Sequence, residues 1–135
     1  MPIGTEVLAA RAGTVLAVRD DSPDNGHAYG EHNYVFAKND DGSVAFYAHL
    51  MQDGVLVAFG DTVAAGDLIG YSGNSGQTGG HPHLHFEVYL DWPPQEGRDA
   101  PINFRNAAGS RDDRGGPVAG QLVTALPLSL ASLGS

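Results

Sequence analysis

Short stretches of alternating apolar and polar residues recur along the chain, separated by turns rich in glycine, asparagine and aspartate. Alternation with a period of two is typical of strands that bury one face. The pattern predicts strands at 14–19, 33–38, 43–50 and 68–72. Because glycine marks the turns between these short apolar runs, we expect an all-β fold.

The predicted strand at 43–50 has one uniformly apolar face, formed by Val44, Phe46, Ala48 and Leu50. Its other face carries Ala45, Tyr47 and His49. Strict alternation therefore places His49 beside Tyr47, on the side of the strand that we expect to carry functional side chains, the working face.

A second histidine-bearing strand is predicted in the run HPHLHFEV at 81–88. His83 and His85 would project to one side of that strand and Leu84 to the other. Two neighbouring imidazoles can share a metal ion, or one can bind metal while the other acts as acid or base. With His49 they could form a three-histidine zinc site with one open position, but spacing does not separate a ligand from a base.

Two loops flank these strands. Residues 20–32 are polar and carry His27 and His32, which we expect on the surface because loops run over it. Residues 73–80 (GNSGQTGG) form a glycine-rich loop that leads directly into the histidine strand. His81 ends this loop, and we expect it to line the site.

Composition narrows the possible partners. Seven Lys and Arg residues against sixteen Asp and Glu give a net charge of −9, which disfavours a nucleic acid as partner. A metal ion or a cationic substrate suits this charge better. The chain has no cysteine, so any metal would need His, Asp or Glu ligands. No apolar run reaches membrane-spanning length, and no export signal opens the chain.

Four stretches occur in order along the chain: GTEVLAARAGTV, NYVFAKNDDGSVAFYAHL, VAFGDTVAAGDLIGYSGNSG and PHLHFEV. Together they resemble the lysostaphin/LytM-type zinc endopeptidases, which cut peptide cross-links of bacterial peptidoglycan. The resemblance implies an antiparallel sheet crossed by a narrow groove, peptidoglycan peptides as substrate, and a periplasmic, cell-envelope or secreted location. It covers residues 1–106, which we expect to form the peptidase-like domain. Residues 107–135 are rich in Gly, Ala and Ser, and we expect a disordered tail there.

The resemblance also assigns roles to individual residues. It implies that His85 is a zinc ligand and that His49 and His83 are catalytic acid/base groups. The substrate groove would be lined by Tyr47, Asn74, Ser75, Gly76 and His81.

One feature of the family lies outside the matching stretches. The family takes its other two zinc ligands from a His-x-x-x-Asp motif just upstream of the segment that matches residues 2–5, and the sequence holds no residues for it there. We expect the chain to be an N-terminally truncated fragment with an incomplete, impaired zinc site. It could instead be a degenerate module that binds peptidoglycan or a partner hydrolase, or its zinc site could be rebuilt from the histidines present.

A weaker alternative comes from the repeated Val-x-x-Gly-Asp turns, which resemble the hairpins of carrier domains. Lys38 is the only lysine, and its context does not match that of a biotinyl or lipoyl acceptor. A phosphohistidine carrier could instead use His49 and His85.

Overall fold

The computed structural model describes residues 1–27, 31–102, 104, 107–108 and 124–125, and within them every regular element is a strand. The strands are β1 (Glu6–Leu8), β2 (Gly13–Arg19), β3 (Asn33–Asn39), β4 (Val44–Val55), β5 (Thr62–Val63), β6 (Leu68–Ser72), β7 (His85–Tyr89), β8 (Ala107–Ala108) and β9 (Thr124–Ala125). The predicted all-β class is confirmed. β6 has its predicted bounds, whereas β4 continues to Val55.

Seven strands form one antiparallel sheet in the order β1-β6-β4-β3-β2-β5, and β7 also pairs with β4. β4 is the central strand. β3 lies along one of its edges, while β7 and β6 follow one another along the other edge. β7 pairs with residues 44–48 of β4, and β6 pairs with residues 50–55. His49 therefore lies at the junction between these two partners.

One face of the sheet carries the hydrophobic core. Its buried members include Val15, Val35, Tyr47, Leu50 and Ile69. The other face carries a row of aromatic rings around Phe46, which stacks on Phe36 with ring centroids 4.4 Å apart. This division decides on which side of β4 a functional side chain must lie to reach solvent.

A β-bulge at His49 interrupts the alternation of β4. Leu50 pairs with Asn33 and Ala48 pairs with Tyr34, so His49 has no partner on β3. Its φ of 61° lies in the left-handed region, which costs a non-glycine residue roughly 1–3 kcal/mol. The extra residue turns His49 to the face of Phe46 and Leu50 to the core face of Tyr47.

The predicted faces of this strand were therefore wrong. Strict alternation grouped His49 with Tyr47 and Leu50 with Phe46, but the bulge exchanges the two partners. The side of β4 that we expected to carry functional side chains instead faces the hydrophobic core as far as Tyr47, which is 2% exposed.

Asn33 ties the long loop after β2 to the bulge. Its side chain is fully buried and makes three hydrogen bonds. Oδ1 accepts from the Ser22 amide at 2.8 Å, and Nδ2 donates to the carbonyls of Ser22 and Leu50 at 2.8 and 3.2 Å. A single amide side chain thus satisfies buried backbone groups of both segments.

The chain divides into two compact units, Met1–Asp99 and Ala100–Ser135. In the second unit β8 and β9 form a two-stranded antiparallel ladder. Most of residues 107–135, where we expect a disordered tail, lie outside the described residues. No helix that could cross a membrane is found in the part of the chain that the structure describes.

We predict that Asn33→Ala lowers the free energy of unfolding by about 3 kcal/mol, because it leaves the Ser22 amide and carbonyl buried without partners. Asn39 is a matched control. It is 4% exposed, its Nδ2 donates only to Ser43 Oγ, and its Oδ1 has no partner among the described residues. Asn39→Ala should cost about 1 kcal/mol or less. Equal losses in urea unfolding would contradict the role given to Asn33.

Candidate active site

Four imidazole rings gather on the face of Phe46, at the junction between β6 and β7. The ring centroid of His49 lies 4.8 Å from that of His83, 6.0 Å from that of His85 and 5.7 Å from that of His32. The structure thus brings together the three histidines that the sequence singled out, and adds a fourth.

β7 positions the HLH pair as its alternation predicts. Leu84 and Phe86 pack against the core cluster, so His83 and His85 project to the opposite side. His85 begins β7 opposite Ala48, and His83 lies just before the strand. Both side chains are exposed, so they can meet a ligand from solvent.

Hydrogen bonds fix which nitrogen carries the proton on two of these rings. His49 Nδ1 lies 2.7 Å from the Ser75 carbonyl oxygen, and His83 Nδ1 lies 2.7 Å from the His81 carbonyl oxygen. Because a carbonyl oxygen only accepts, Nδ1 is the donor in both bonds. In the neutral form of each ring, Nε2 is therefore the nitrogen with a free lone pair.

His85 is held differently, through its other ring nitrogen. Its Nε2 lies 3.2 Å from Glu87 Oε2, which also accepts a hydrogen bond from the Tyr89 hydroxyl at 2.9 Å. A carboxylate accepts from an N–H, so this contact leaves Nδ1 of the neutral ring unprotonated. Burial, together with the Glu87 carboxylate, raises the pKa of Tyr89 to about 12, so its hydroxyl remains a donor.

Burial lowers the pKa of His49 below its usual value. The hydrogen bond to the Ser75 carbonyl opposes this shift, and the nearby charges of His83 and His85 add to it. Desolvation disfavours the charged imidazolium, so His49 is neutral near pH 7. A neutral imidazole with a free Nε2 is able to accept a proton.

His32 is a site residue that sequence reasoning missed. We expected it on the surface, but it is half-buried and its ring packs edge-on against those of His49, Phe46 and Tyr34. The signal was the hairpin between β3 and β4: Lys38 pairs with Val44, and regular pairing from there leads His32 back towards the part of β4 that carries His49, where the bulge sets Asn33 opposite Leu50.

The predicted groove residues separate into accessible and inaccessible ones. His81 is exposed and Asn74 is partly exposed. Tyr47 lies in the core, where its hydroxyl accepts from the Ala10 amide at 2.9 Å. Ser75 and Gly76 are buried as well. Tyr47, Ser75 and Gly76 therefore offer no side chain to a groove.

Asp24 is a second residue that sequence reasoning missed. Its Oδ1 accepts from the Asn74 amide at 2.7 Å and its Oδ2 accepts from the Gln52 amide at 2.9 Å. A Cβ at Gly73 would overlap Asp24 Oδ1, so glycine is required for this close approach. Asp24 therefore fixes the start of the glycine-rich loop against β4.

The arrangement does not fit a complete metal centre. No group of three His, Asp or Glu side chains within the described ranges is placed to hold a metal ion. This includes His49, His83 and His85, so the structure gives no support to a three-histidine zinc site built from them.

We predict that the chain loses stability as the pH falls below about 6.5, and that His32→Phe flattens this dependence. Burial is the main cause that lowers the folded pKa of His32, and the charges of His49, His85 and Arg19 lower it further. The unfolded chain therefore binds more protons in this window, so acid favours unfolding.

The measurement is urea unfolding at several pH values with a chelator present. Phenylalanine preserves the ring packing, and the comparison at pH 8 gives its packing cost alone. If the free energy of unfolding of the His32→Phe variant depended on pH as strongly as that of the parent chain, burial of His32 would be refuted as a cause of the acid destabilisation.

Comparison with known proteins places this geometry in a family. The model of "Peptidase family M23" matches residues 1–99. The chain is 36% identical over 107 residues to peptidoglycan DD-endopeptidase ShyA of Vibrio cholerae, covering 79% of this chain and 21% of ShyA. It is 32% identical over 109 residues to lysostaphin of Staphylococcus simulans, covering 81% of this chain and 20% of lysostaphin. The chain thus spans about a fifth of the length of these curated relatives.

Solved structures give the same result. The catalytic domain of lysostaphin from Staphylococcus simulans superposes with a TM-score of 0.58 at 30% identity, covering 74% of this chain and 68% of that domain. A zinc containing peptidase from Vibrio cholerae superposes with a TM-score of 0.52 at 34% identity, covering 65% of this chain and 24% of that one. The resemblance seen in the sequence is therefore confirmed, and the chain belongs to peptidase family M23.

Proposed function

We propose that this chain supplies the catalytic face of a zinc metalloendopeptidase that hydrolyses peptide cross-links of bacterial peptidoglycan. The observation that carries the proposal is the pair of His49 and His83, 4.8 Å apart between ring centroids, each with Nδ1 bound to a backbone carbonyl. Family membership and relatives named as a peptidoglycan DD-endopeptidase and a glycyl-glycine endopeptidase support the reaction and the substrate class.

His49 and His83 would divide the proton transfers of peptide hydrolysis between them. Each has an unprotonated Nε2 in its neutral form, so one imidazole can take a proton from the attacking water. An imidazolium formed in that way can return the proton to the leaving amine. The lowered pKa of His49 keeps that ring neutral and able to act first as the base. His83 is exposed, as a group that meets a large polymer from solvent must be.

His85 is the residue we assign to the metal. Metal-binding histidines commonly donate their second ring N–H to a carboxylate, which orients the ring and makes it a better ligand. The contact between His85 Nε2 and Glu87 Oε2 provides that partner and leaves Nδ1 for a metal ion. Because the described residues do not complete a three-ligand centre, zinc binding would need further ligands.

Asn74 and His81 would form the accessible wall of the groove beside these histidines. Such a substrate would place the active protein at the cell envelope or outside the cell. Residues 107–135 would be a segment separate from the peptidase domain.

The incomplete metal centre favours a second candidate, a non-catalytic module that binds peptidoglycan or regulates a cell-wall hydrolase.

The test is to compare the chain itself with a version extended upstream by a family His-x-x-x-Asp segment. We expect weak zinc binding by the chain, and near-stoichiometric zinc and peptidoglycan cleavage by the extended version. In the extended version His83→Ala should keep zinc and lose about 10²- to 10⁴-fold in rate, whereas His85→Ala should lose zinc.

His27→Ala is the control, since His27 is exposed and its amide bonds only the neighbouring Asn25 side chain among the described contacts. It should change neither zinc content nor rate. An extended protein that binds zinc but cuts neither peptidoglycan nor glycyl peptides would refute the peptidase. Retention of the extended, zinc-loaded protein on purified cell walls without cleavage would favour the binding module.

A further inference from the structure

The glycine-rich loop contains a buried serine that contacts His49 through its backbone and the strand of His49 through its side chain. Ser75 is fully buried, so it cannot touch a substrate. We propose that Ser75 is a positioning residue that holds His49 in the Nδ1–H form, with Nε2 directed to the reaction. The importance of this role for catalysis rests on the proposed function, whereas the position of the proton on the neutral ring does not.

Two side chains bond to the carbonyl of Leu50, the residue that follows the bulge. Ser75 Oγ donates to the Leu50 carbonyl at 2.6 Å, and Asn33 Nδ2 donates to the same oxygen at 3.2 Å. Ser75 Oγ in turn accepts a hydrogen bond from the backbone N–H of Asn33 at 3.0 Å. The Ser75 hydroxyl is thus both donor and acceptor, and it joins β3, β4 and the loop at one point.

The backbone of the same serine bonds to the imidazole ring. The Ser75 carbonyl accepts from His49 Nδ1 at 2.7 Å. Just before it in the loop, the Gly73 amide donates to the His49 carbonyl at 2.9 Å. The loop therefore holds His49 by its ring, by its own carbonyl and by the carbonyl of the next residue. A ring held in this way has one orientation and one site for its proton.

This bond decides which ring nitrogen of His49 carries the proton. The free imidazole of histidine in water prefers to carry its proton on Nε2, which would leave the wrong nitrogen free. An acceptor fixed beside Nδ1 reverses that preference, because the proton goes where it makes a hydrogen bond. The Ser75 hydroxyl keeps the carbonyl at that place, so its loss should release the ring even though the carbonyl remains.

Ser72 provides a matched control within the same sheet. It is also fully buried, and its Oγ also donates to a backbone carbonyl, that of Pro2 at 2.9 Å, and accepts a backbone amide, that of Thr5 at 3.2 Å. Ser72→Ala thus removes the same kinds of hydrogen bond as Ser75→Ala. Only Ser75 is bonded to the ring of His49.

The experiment is two-bond ¹H–¹⁵N spectroscopy of the histidine rings in the chain as it stands, with chelator, at alkaline pH where the rings are neutral. We expect His49 to be in the Nδ1–H form in the parent chain and in Ser72→Ala. In Ser75→Ala the proton should move to Nε2 in a large part of the molecules. Ser75→Cys keeps the side-chain volume with a weak donor, and it should show the same change to a smaller extent.

Retention of the Nδ1–H form in Ser75→Ala, or its equal loss in Ser72→Ala, overturns the proposal. If Ser75→Ala does not fold, Ser75→Cys decides. In an active extended chain, Ser75→Ala should lower kcat on the order of 100-fold with little change in KM, because a misplaced imidazole affects the reaction more than binding. A change of proton site in Ser75→Ala, with no cleavage by an extended chain that holds zinc, would leave this role intact and refute the peptidase instead.

Discussion

The whole arrangement depends on the β-bulge in the middle of β4. Without the extra residue, His49 would point into the core beside Tyr47, and Leu50 would point out into the site. The left-handed φ of His49 carries a cost that the hydrogen bonds of Asn33 and Ser75 to the Leu50 carbonyl offset. The stability of the central strand and the orientation of the His49 ring thus depend on the same few buried hydrogen bonds.

Those contacts are made by polar side chains in a buried position that hydrophobic side chains more often occupy. Asn33 and Ser75 are both fully buried, and a buried donor or acceptor left without a partner lowers the stability of the fold. Satisfied networks of this kind rigidify what they join. The loop from β2, the centre of β4 and the glycine-rich loop are joined here, and these segments carry or flank the histidines.

Much of the fold could be read from the sequence, because hydrophobic alternation reports burial directly. The bounds of β6, the outward direction of His83 and His85, and the loop at 73–80 all follow from period-two patterns and glycine positions. The bulge could not be read in this way, since one inserted residue leaves no local signature and reverses every side chain beyond it. The misplacement of Tyr47 follows from that single slip.

The site was only partly readable for a related reason. Sequence spacing identified His49, His83 and His85 but not His32 or Asp24, whose places depend on strand register and on a loop folding back on β4. Burial of Ser75 was equally hidden, because a serine among glycines has the composition of a surface turn. Chemistry-bearing residues stand out in a sequence, whereas the residues that hold them in place do not.

β6 and β7 share one edge of β4 and meet end to end, which has a consequence for how this protein can change over evolution. β6 ends at Ser72 opposite Leu50, and β7 begins at His85 opposite Ala48, so the segment 73–84 leaves and returns to almost the same point. A loop whose ends already adjoin can gain residues at small entropic cost and without shifting either strand. Its outer part is free to acquire new shapes for new substrates, while the histidines at its base stay fixed.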